Sequence, residues 1–192
     1  MTLRPLDALP TSPRRVLVAG VSGAGKSTLA RRLARILGLD YVELDALFHG
    51  PNWTPREEFV ADVEAFTSGE RWITEWQYES ARALLAERAD TLVWLDLPYP
   101  LVFARVVRRT LARRIRRQPL WNGNIEGPLS AILTDPEHII RWSVRTRRKY
   151  RDLGARLARS HPHLQVIRLR SRHEVEQFVF AAGTHRADQL DS

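Results

Sequence analysis

Gly20-Val21-Ser22-Gly23-Ala24-Gly25-Lys26-Ser27 is the stretch that decides how the rest of the chain is read. It fits the pattern G-x-x-x-x-G-K-S without a mismatch. The apolar run Arg15-Val16-Leu17-Val18-Ala19 leads into it as a strand. Thr28 to Leu37 follows, with Leu29, Leu33, Ile36 and Leu37 on one helical face and Gly38 as a stop. Strand, glycine-rich loop and helix in that order build an anion nest. The glycines let backbone N–H groups turn inward, and the helix adds the positive end of its dipole. The expected contacts to a nucleotide are Gly20, Ser22, Gly23, Ala24, Gly25, Lys26, Ser27 and Thr28. Lys26 would reach the β- and γ-phosphates of ATP, and Ser27 would ligate Mg2+.

Composition sets the limits around this loop. A chain of 192 residues, 44% hydrophobic, suits one domain with a real core and excludes a disordered tail or a coiled-coil rod. The absence of cysteine removes a disulfide scaffold, a thiolate zinc site and a cysteine nucleophile together. The formal net charge of +8 points to phosphate-bearing partners. Only Lys26 and Lys149 are lysines among 30 basic residues, an arginine bias that fits a GC-rich genome. One of the two stands where the loop needs a compact ammonium group rather than a guanidinium. No window approaches the roughly 18 apolar residues of a membrane span, and Met1 to Pro13 has neither signal- nor transit-peptide character. A soluble, reducing, cytoplasmic setting is expected.

Beyond the loop, strands and helices alternate. Tyr41-Val42-Glu43-Leu44 reads as a second strand, ending at Asp45. Thr54, Pro55 and Glu57 mark a helix start, with Thr54 as the cap. Trp72-Ile73-Thr74 is a third strand, ending at Glu75, and a helix covers about Ser80 to Arg88. Thr91 to Leu95 is a fourth strand, ending at Asp96. Basic helices follow from Leu101 to about Arg117 and from about Pro136 to Leu157, joined by a loop over Gln118 to Pro128. Leu164 to Leu169 is a fifth strand. Ser171 and Glu174 form a capping box for a last helix, Arg172 to Ala182. Short apolar strands between helices imply a parallel sheet covered on both faces, with ligands beyond the carboxyl ends of the strands. Asp45, Glu75 and Asp96 gather there beside the glycine-rich loop.

Other P-loop classes are excluded by missing pieces. There is no Asn-Lys-x-Asp guanine reader, and the larger ATPases need longer domains. What remains is the small-molecule kinase branch, and here the chain resembles the adenylate-kinase-related P-loop kinases labelled topology-modulation proteins. The resemblance rests on Leu44-Asp45-Ala46-Leu47-Phe48, Pro51-Asn52-Trp53, Glu75-Trp76-Gln77-Tyr78, Ala89-Asp90 and Leu95-Asp96-Leu97-Pro98, and covers roughly Val16 to Tyr150. Glu75-Trp76 stands where that family has Asp-Gly. The resemblance implies a nucleotide-kinase-like three-layer α/β sandwich with a five-stranded parallel sheet in the order 2-3-1-4-5. It also implies an Arg-rich helical lid and phosphoryl transfer from ATP. It places the adenine between the lid helix and Arg170-Ser171-Arg172.

Roles follow from position. Asp45 is the candidate general base, against a plain turn cap. Ser27 is the candidate Mg2+ ligand and Glu75 the candidate holder of a Mg2+-bound water, against a plain helix N-cap; Asp96 is an alternative for that role, against shaping the turn with Pro98. Phe48, Trp53, Trp76 and Tyr78 could sandwich a flat ring or belong to the core packing; Asp45, Phe48, Trp53 and Tyr78 are the expected substrate contacts. The segment from Leu101 to Arg151 carries net +10, while the other residues carry net −2. It is expected to be a lid whose arginines stabilise the transferring phosphoryl group, with Arg109 and Arg113 as catalytic candidates. Arg105 and Arg114 lie on the same helix, and Arg141, Arg145 and Arg148 on the returning one. The Trp121-Asn122-Gly123-Asn124 tip could recognise substrate or simply turn. The histidines show no metal-ligand pattern. The chain divides into an N-terminal tail (1–13), one kinase-like domain (14–182, lid 101–151) and a C-terminal tail (183–192).

The expected activity is transfer of the γ-phosphoryl of Mg-ATP to a small acceptor, a nucleoside or nucleotide. The same charge allows a nucleic-acid-binding protein with ATP as a switch, or a polynucleotide-end kinase. Binding of that kind would weaken steeply with salt.

Overall fold

In the computed structural model, the described residues are 2–3, 13–116, 119–124, 143–146 and 150–190, with side chains described for 13–116, 119–124, 143–146 and 150–184. Six strands form one sheet: β1 (Thr2–Leu3), β2 (Arg15–Gly20), β3 (Asp40–Val42), β4 (Trp72–Glu75), β5 (Thr91–Leu95) and β6 (Gln165–Leu169). Their order is β1-β6-β5-β2-β4-β3, and every pair is parallel. Without β1, and counted in chain order, the five remaining strands read 2-3-1-4-5, as expected. The helices are α1 (Lys26–Leu37), α2 (Leu44–Phe48), α3 (Phe59–Thr67), α4 (Glu79–Arg88), α5 (Tyr99–Ile115), α6 (Leu153–Ser160) and α7 (Arg172–Leu190).

The central strands are apolar throughout because both faces are covered. On one face Val16, Val18, Ile73, Val93 and Ile167 pack against Leu29 and Leu33 of α1 and Phe178 of α7. On the other, Leu17, Leu92, Val166, Trp72 and Trp76 pack against Leu85 of α4 and Leu153 and Leu157 of α6. The chain winds from β2 to β3 and β4 on one side and then returns to β5 and β6 on the other. A crevice therefore opens beyond the carboxyl end of β2, at the topological switch point. Asp90 ties the far end of the sheet. Its Oδ2 accepts the Arg14 and Arg15 backbone N–H groups at 3.0 and 2.7 Å.

The helix ends follow the capping signals in most places. Gly38 closes α1 in the left-handed conformation at φ 66°, and its N–H donates to the Ala34 carbonyl. Ser171 Oγ accepts the Glu174 N–H at 3.1 Å, while the Glu174 carboxylate takes the Arg170 N–H at 2.7 Å.

Several boundaries differ from the sequence expectation. The second predicted strand stops at Val42, and Asp45 lies in the first turn of α2. The helix expected at Pro55 begins at Phe59. The Thr54 hydroxyl instead donates to the Pro51 carbonyl at 2.7 Å, and His49 and Pro55 form an antiparallel bridge that closes the loop between them. Arg141, Arg148 and the rest of 136–142 and 147–149 in the predicted helix 136–157 lie outside the described residues. In its described part, Asp152 leaves helical geometry (φ −113°, ψ 25°) and a new helix starts at Leu153. Thr2 and Leu3, placed in a tail, pair with Val166 and Ile167. The last helix runs beyond Ala182 to Leu190.

Candidate active site

Gly25 precedes α1 at φ 101° and Gly23 lies at φ 82°, both in the left-handed region that glycine enters without a Cβ penalty. At Gly23 there is also no room. A Cβ would sit 2.4 Å from Val106 Cγ2 and 2.8 Å from the Val102 carbonyl of α5. Helix α5 therefore lies directly on the phosphate loop, through Val102 and Val106. Arg105 on the same face donates from Nη1 to the Ala24 carbonyl at 3.3 Å. The first-turn amides of α1, at Lys26, Ser27 and Thr28, precede any intrahelical acceptor and face the crevice end.

Lys26 is the electrostatic centre of the site. Burial lowers its pKa from the ordinary value, while Asp45 first and Glu75 second pull it back up; Arg109 and Arg82 oppose them. The structure thus brings together Lys26, Asp45, Glu75 and Arg109, four residues expected at the site from sequence. Arg82, on α4, was not among the expected residues. Its guanidinium stacks over the Trp76 ring at 5.2 Å. Arg113 lies one turn beyond Arg109 on α5 and is half-buried. The charge of Arg172, the first residue of α7, acts on Arg105 of α5.

Asp45 is held by neighbours rather than by its own turn. Gln77 Nε2 donates to its Oδ1 at 2.6 Å, and the Tyr78 hydroxyl donates to the same oxygen at 2.5 Å. The Tyr78 oxygen also meets His49 Nε2 at 3.1 Å. Burial holds the Tyr78 phenol well above its ordinary value and keeps it a proton donor, with Asp45 adding to the effect. Burial also lowers the His49 pKa, and Asp45 opposes that shift. Among the described residues both side-chain bonds to Asp45 fall on Oδ1, which leaves Oδ2 for another partner.

Glu75 is 1% exposed. Its Oε1 accepts the Tyr41 hydroxyl at 2.8 Å, and its Oε2 is buried with no hydrogen-bond partner. Asp96, the alternative metal partner, is bound to the Arg168 guanidinium, with Nε at 2.9 Å, and is committed to that pair. Among the described residues no cluster of three acidic or histidine side chains could enclose a cation.

The aromatic residues do not form the expected sandwich. Phe48 and Tyr78 stack on each other, centroids 3.9 Å apart and 19° from parallel, so no ring fits between them. Trp76 is 5% exposed and belongs to the core beneath α4. Trp53 and Trp121 meet edge-on at 6.3 Å, and the Trp121 ring stacks over His49 at 5.9 Å. The Trp121–Asn124 segment docks on the loop after α2. Asn124 donates to the Gly50 carbonyl at 2.9 Å and accepts the Trp53 N–H at 3.1 Å, and Asn122 donates to the His49 carbonyl. Asn52, Trp53, Tyr78 and Asn122 are the non-glycine residues with positive φ among those described. All four surround this wall, where strain of that kind is characteristic of functional sites.

A cavity of about 530 Å3, lined by Arg14, Arg88, Asp90 and His163 among others, opens at the opposite, amino end of the strands, away from Lys26. Gln77, His49, Tyr41, Arg82 and Asn124 complete the site; of these only Asn124, in the Trp121–Asn124 tip, was given a possible role from the sequence. Gln77 and Tyr78 at least share one motif with Glu75; the other contacts join segments far apart in the chain.

Known proteins resemble the chain in the same terms. It is 31% identical to a shikimate kinase of Paramagnetospirillum magneticum over 113 residues, covering 50% of this chain and 58% of that protein. It is 37% identical to a Mycobacterium avium shikimate kinase over 81 residues, 42% of this chain and 43% of that one. A bifunctional pantoate ligase/cytidylate kinase of Gloeobacter violaceus matches over 90 residues at 36% identity, 43% of this chain and 16% of that protein. The chain spans about half the length of the shikimate kinases it matches. Among solved structures, Acinetobacter baumannii shikimate kinase in complex with shikimate superposes with a TM-score of 0.55 at 16% identity, covering 92% of this chain and 95% of that one. A Sinorhizobium meliloti gluconokinase gives a TM-score of 0.51 at 20% identity, covering 93% and 95%. No family model matches the chain. These likenesses support a P-loop small-molecule kinase and its fold, without singling out the adenylate-kinase-related or topology-modulation group.

Proposed function

We propose that this protein transfers the γ-phosphoryl group of ATP to a hydroxyl of a small polyhydroxylated acid, of the shikimate or gluconate kind. The observation that carries the reading is an intact phosphate loop whose Lys26 is half-buried and feels the charges of the Asp45 and Glu75 carboxylates. Oδ2 of Asp45 takes the acceptor hydroxyl proton while Gln77 and Tyr78 hold the carboxylate through Oδ1. The acceptor oxygen then forms its bond to the γ-phosphorus as the bond from that phosphorus to the ADP oxygen breaks. Lys26 and Arg109 stabilise charge on the transferring group, and α5 excludes water from it. Ser27, with Glu75 Oε2, would hold Mg2+, which neutralises phosphate charge when bound.

Two observations favour a compact acid over a nucleobase. The Phe48–Tyr78 stack leaves no slot for a base, and Trp76 lies in the core. The nearby relatives named as shikimate kinases and the gluconokinase fold support the same class. A nucleotide acceptor is the second reading, favoured by the match to the cytidylate kinase fusion.

ADP release measured over shikimate, gluconate, other hydroxy acids, nucleosides and nucleoside monophosphates tests both, with Lys26→Ala as the blank. Turnover with an acid that the blank loses is the expected result. Turnover confined to nucleosides or nucleotides would replace the first reading by the second. Turnover unchanged in the blank would overturn phosphoryl transfer at this loop.

A further inference from the structure

Glu75 poses a problem that its neighbours solve. It is a glutamate beside the phosphate loop, with one more rotatable bond than an aspartate would have. It is almost fully buried, and one of its two oxygens has no hydrogen-bond partner among the described residues. A carboxylate oxygen left this way is costly unless something charged completes it. The other oxygen, Oε1, accepts the Tyr41 hydroxyl at 2.8 Å.

We propose that Tyr41 is a positioning residue that commits one oxygen of Glu75 and thereby presents the other to the phosphate-bound cation. The proposal rests on the phosphoryl-transfer reading above. Register explains why Tyr41 can do this. Tyr41 on β3 pairs with Ile73 on β4, and Glu75 lies two residues further along the same face. A tyrosine is long enough to reach that diagonal neighbour. Glu75 itself stands beside Val18 of β2, two residues before the loop begins at Gly20. The Tyr41 ring is fixed in turn. The Arg31 guanidinium lies over it at 5.4 Å and pairs with Glu43 at 2.9 Å. A chain of contacts thus runs from the exposed side of α1, through β3, to the carboxylate next to Lys26. Every contact in it is made across elements.

Tyr41→Phe keeps the ring and its stacking and removes only the hydroxyl. The readout is Mn2+ affinity in the presence of a non-hydrolysable ATP analogue, followed by electron paramagnetic resonance, alongside analogue affinity without metal. The expected result is an Mn2+ affinity about 10-fold weaker in Tyr41→Phe, as for outer-shell partners of metal ligands. Metal-free analogue affinity should stay within about 2-fold, and a merely structural role for Tyr41 would move both together. Tyr41→Phe in a Glu75→Gln background should add nothing further, because the two residues act as one unit. An unchanged Mn2+ affinity in Tyr41→Phe, or additive losses in the double variant, would overturn the proposal. If Tyr41→Phe does not fold, the tyrosine 13Cζ resonances of the wild type decide. The Tyr41 signal should shift when Mg2+ is added to the analogue complex, and a static signal overturns the proposal. A wild type that binds no analogue, or binds Mn2+ equally without it, counts against the phosphoryl-transfer reading instead.

Discussion

At the scale of single residues, Asp45 has the most to explain. Its carboxylate is oriented by Gln77 and Tyr78, and Tyr78 is backed by His49. If Oδ2 takes the acceptor proton, Asp45→Asn should lower kcat by about 10²- to 10⁴-fold, because an amide cannot accept that proton. Nucleotide affinity, measured by calorimetry, should change little. His49 leads to a second prediction. Burial holds its pKa below 6.5, so between that lowered value and 6.5 the unfolded chain binds more protons than the folded one. Stability is therefore full above 6.5 and falls as pH drops through this window. Urea midpoints over about pH 5 to 7.5 should show that slope, and His49→Gln should flatten it.

Elements place these residues, and here the close approach of α5 to the phosphate loop matters most. Gly23→Ala adds a Cβ against Val106 and the Val102 backbone at φ 82°. Strain and overpacking together should cost about 2–4 kcal/mol in denaturant unfolding, and nucleotide binding should be lost with the loop geometry. Gly123 shares a positive φ, at 76°, but has nothing within 4 Å. Gly123→Ala should cost only about 1 kcal/mol. Both glycines sit in recognisable turns, yet only one is irreplaceable. The neighbour that makes it so is 79 to 83 residues away in sequence, on α5. The same holds for the Trp121–Asn124 segment. Its composition marks a turn, while its docking onto Gly50 and Trp53 depends on the path of the chain between them.

Across the whole molecule, the two cores decide which aromatic residues are free to serve the site. Of the two readings open for Trp76, pocket wall and core, the structure shows core. Trp76→Gly should cost about 3–5 kcal/mol in thermal or chemical unfolding, as large-to-small core changes do, rather than enlarge the acceptor pocket. The net charge of +8 also takes its meaning from the fold. The excess lies in Leu101 to Arg151, and α5, which enters that segment, rests on the phosphate loop. Among the described residues no helix is long and apolar enough to cross a membrane.

The sequence by itself determined the phosphate loop, the parallel sheet of short apolar strands, the capping of α1 and α7, and the gathering of Asp45 and Glu75 beside the loop. These are local or periodic properties. A loop of glycines, a run of apolar residues and a capping pair act over a few residues, so spacing reveals them. Tertiary structure alone decided that Tyr41 holds Glu75, that Tyr78 and Gln77 hold Asp45, that Phe48 closes on Tyr78, and that Asp96 is committed to Arg168. All of these contacts join residues 30 or more apart in the chain, across strand register and helix packing. Which side chain meets which there is set by packing geometry, and no local spacing in the chain encodes it.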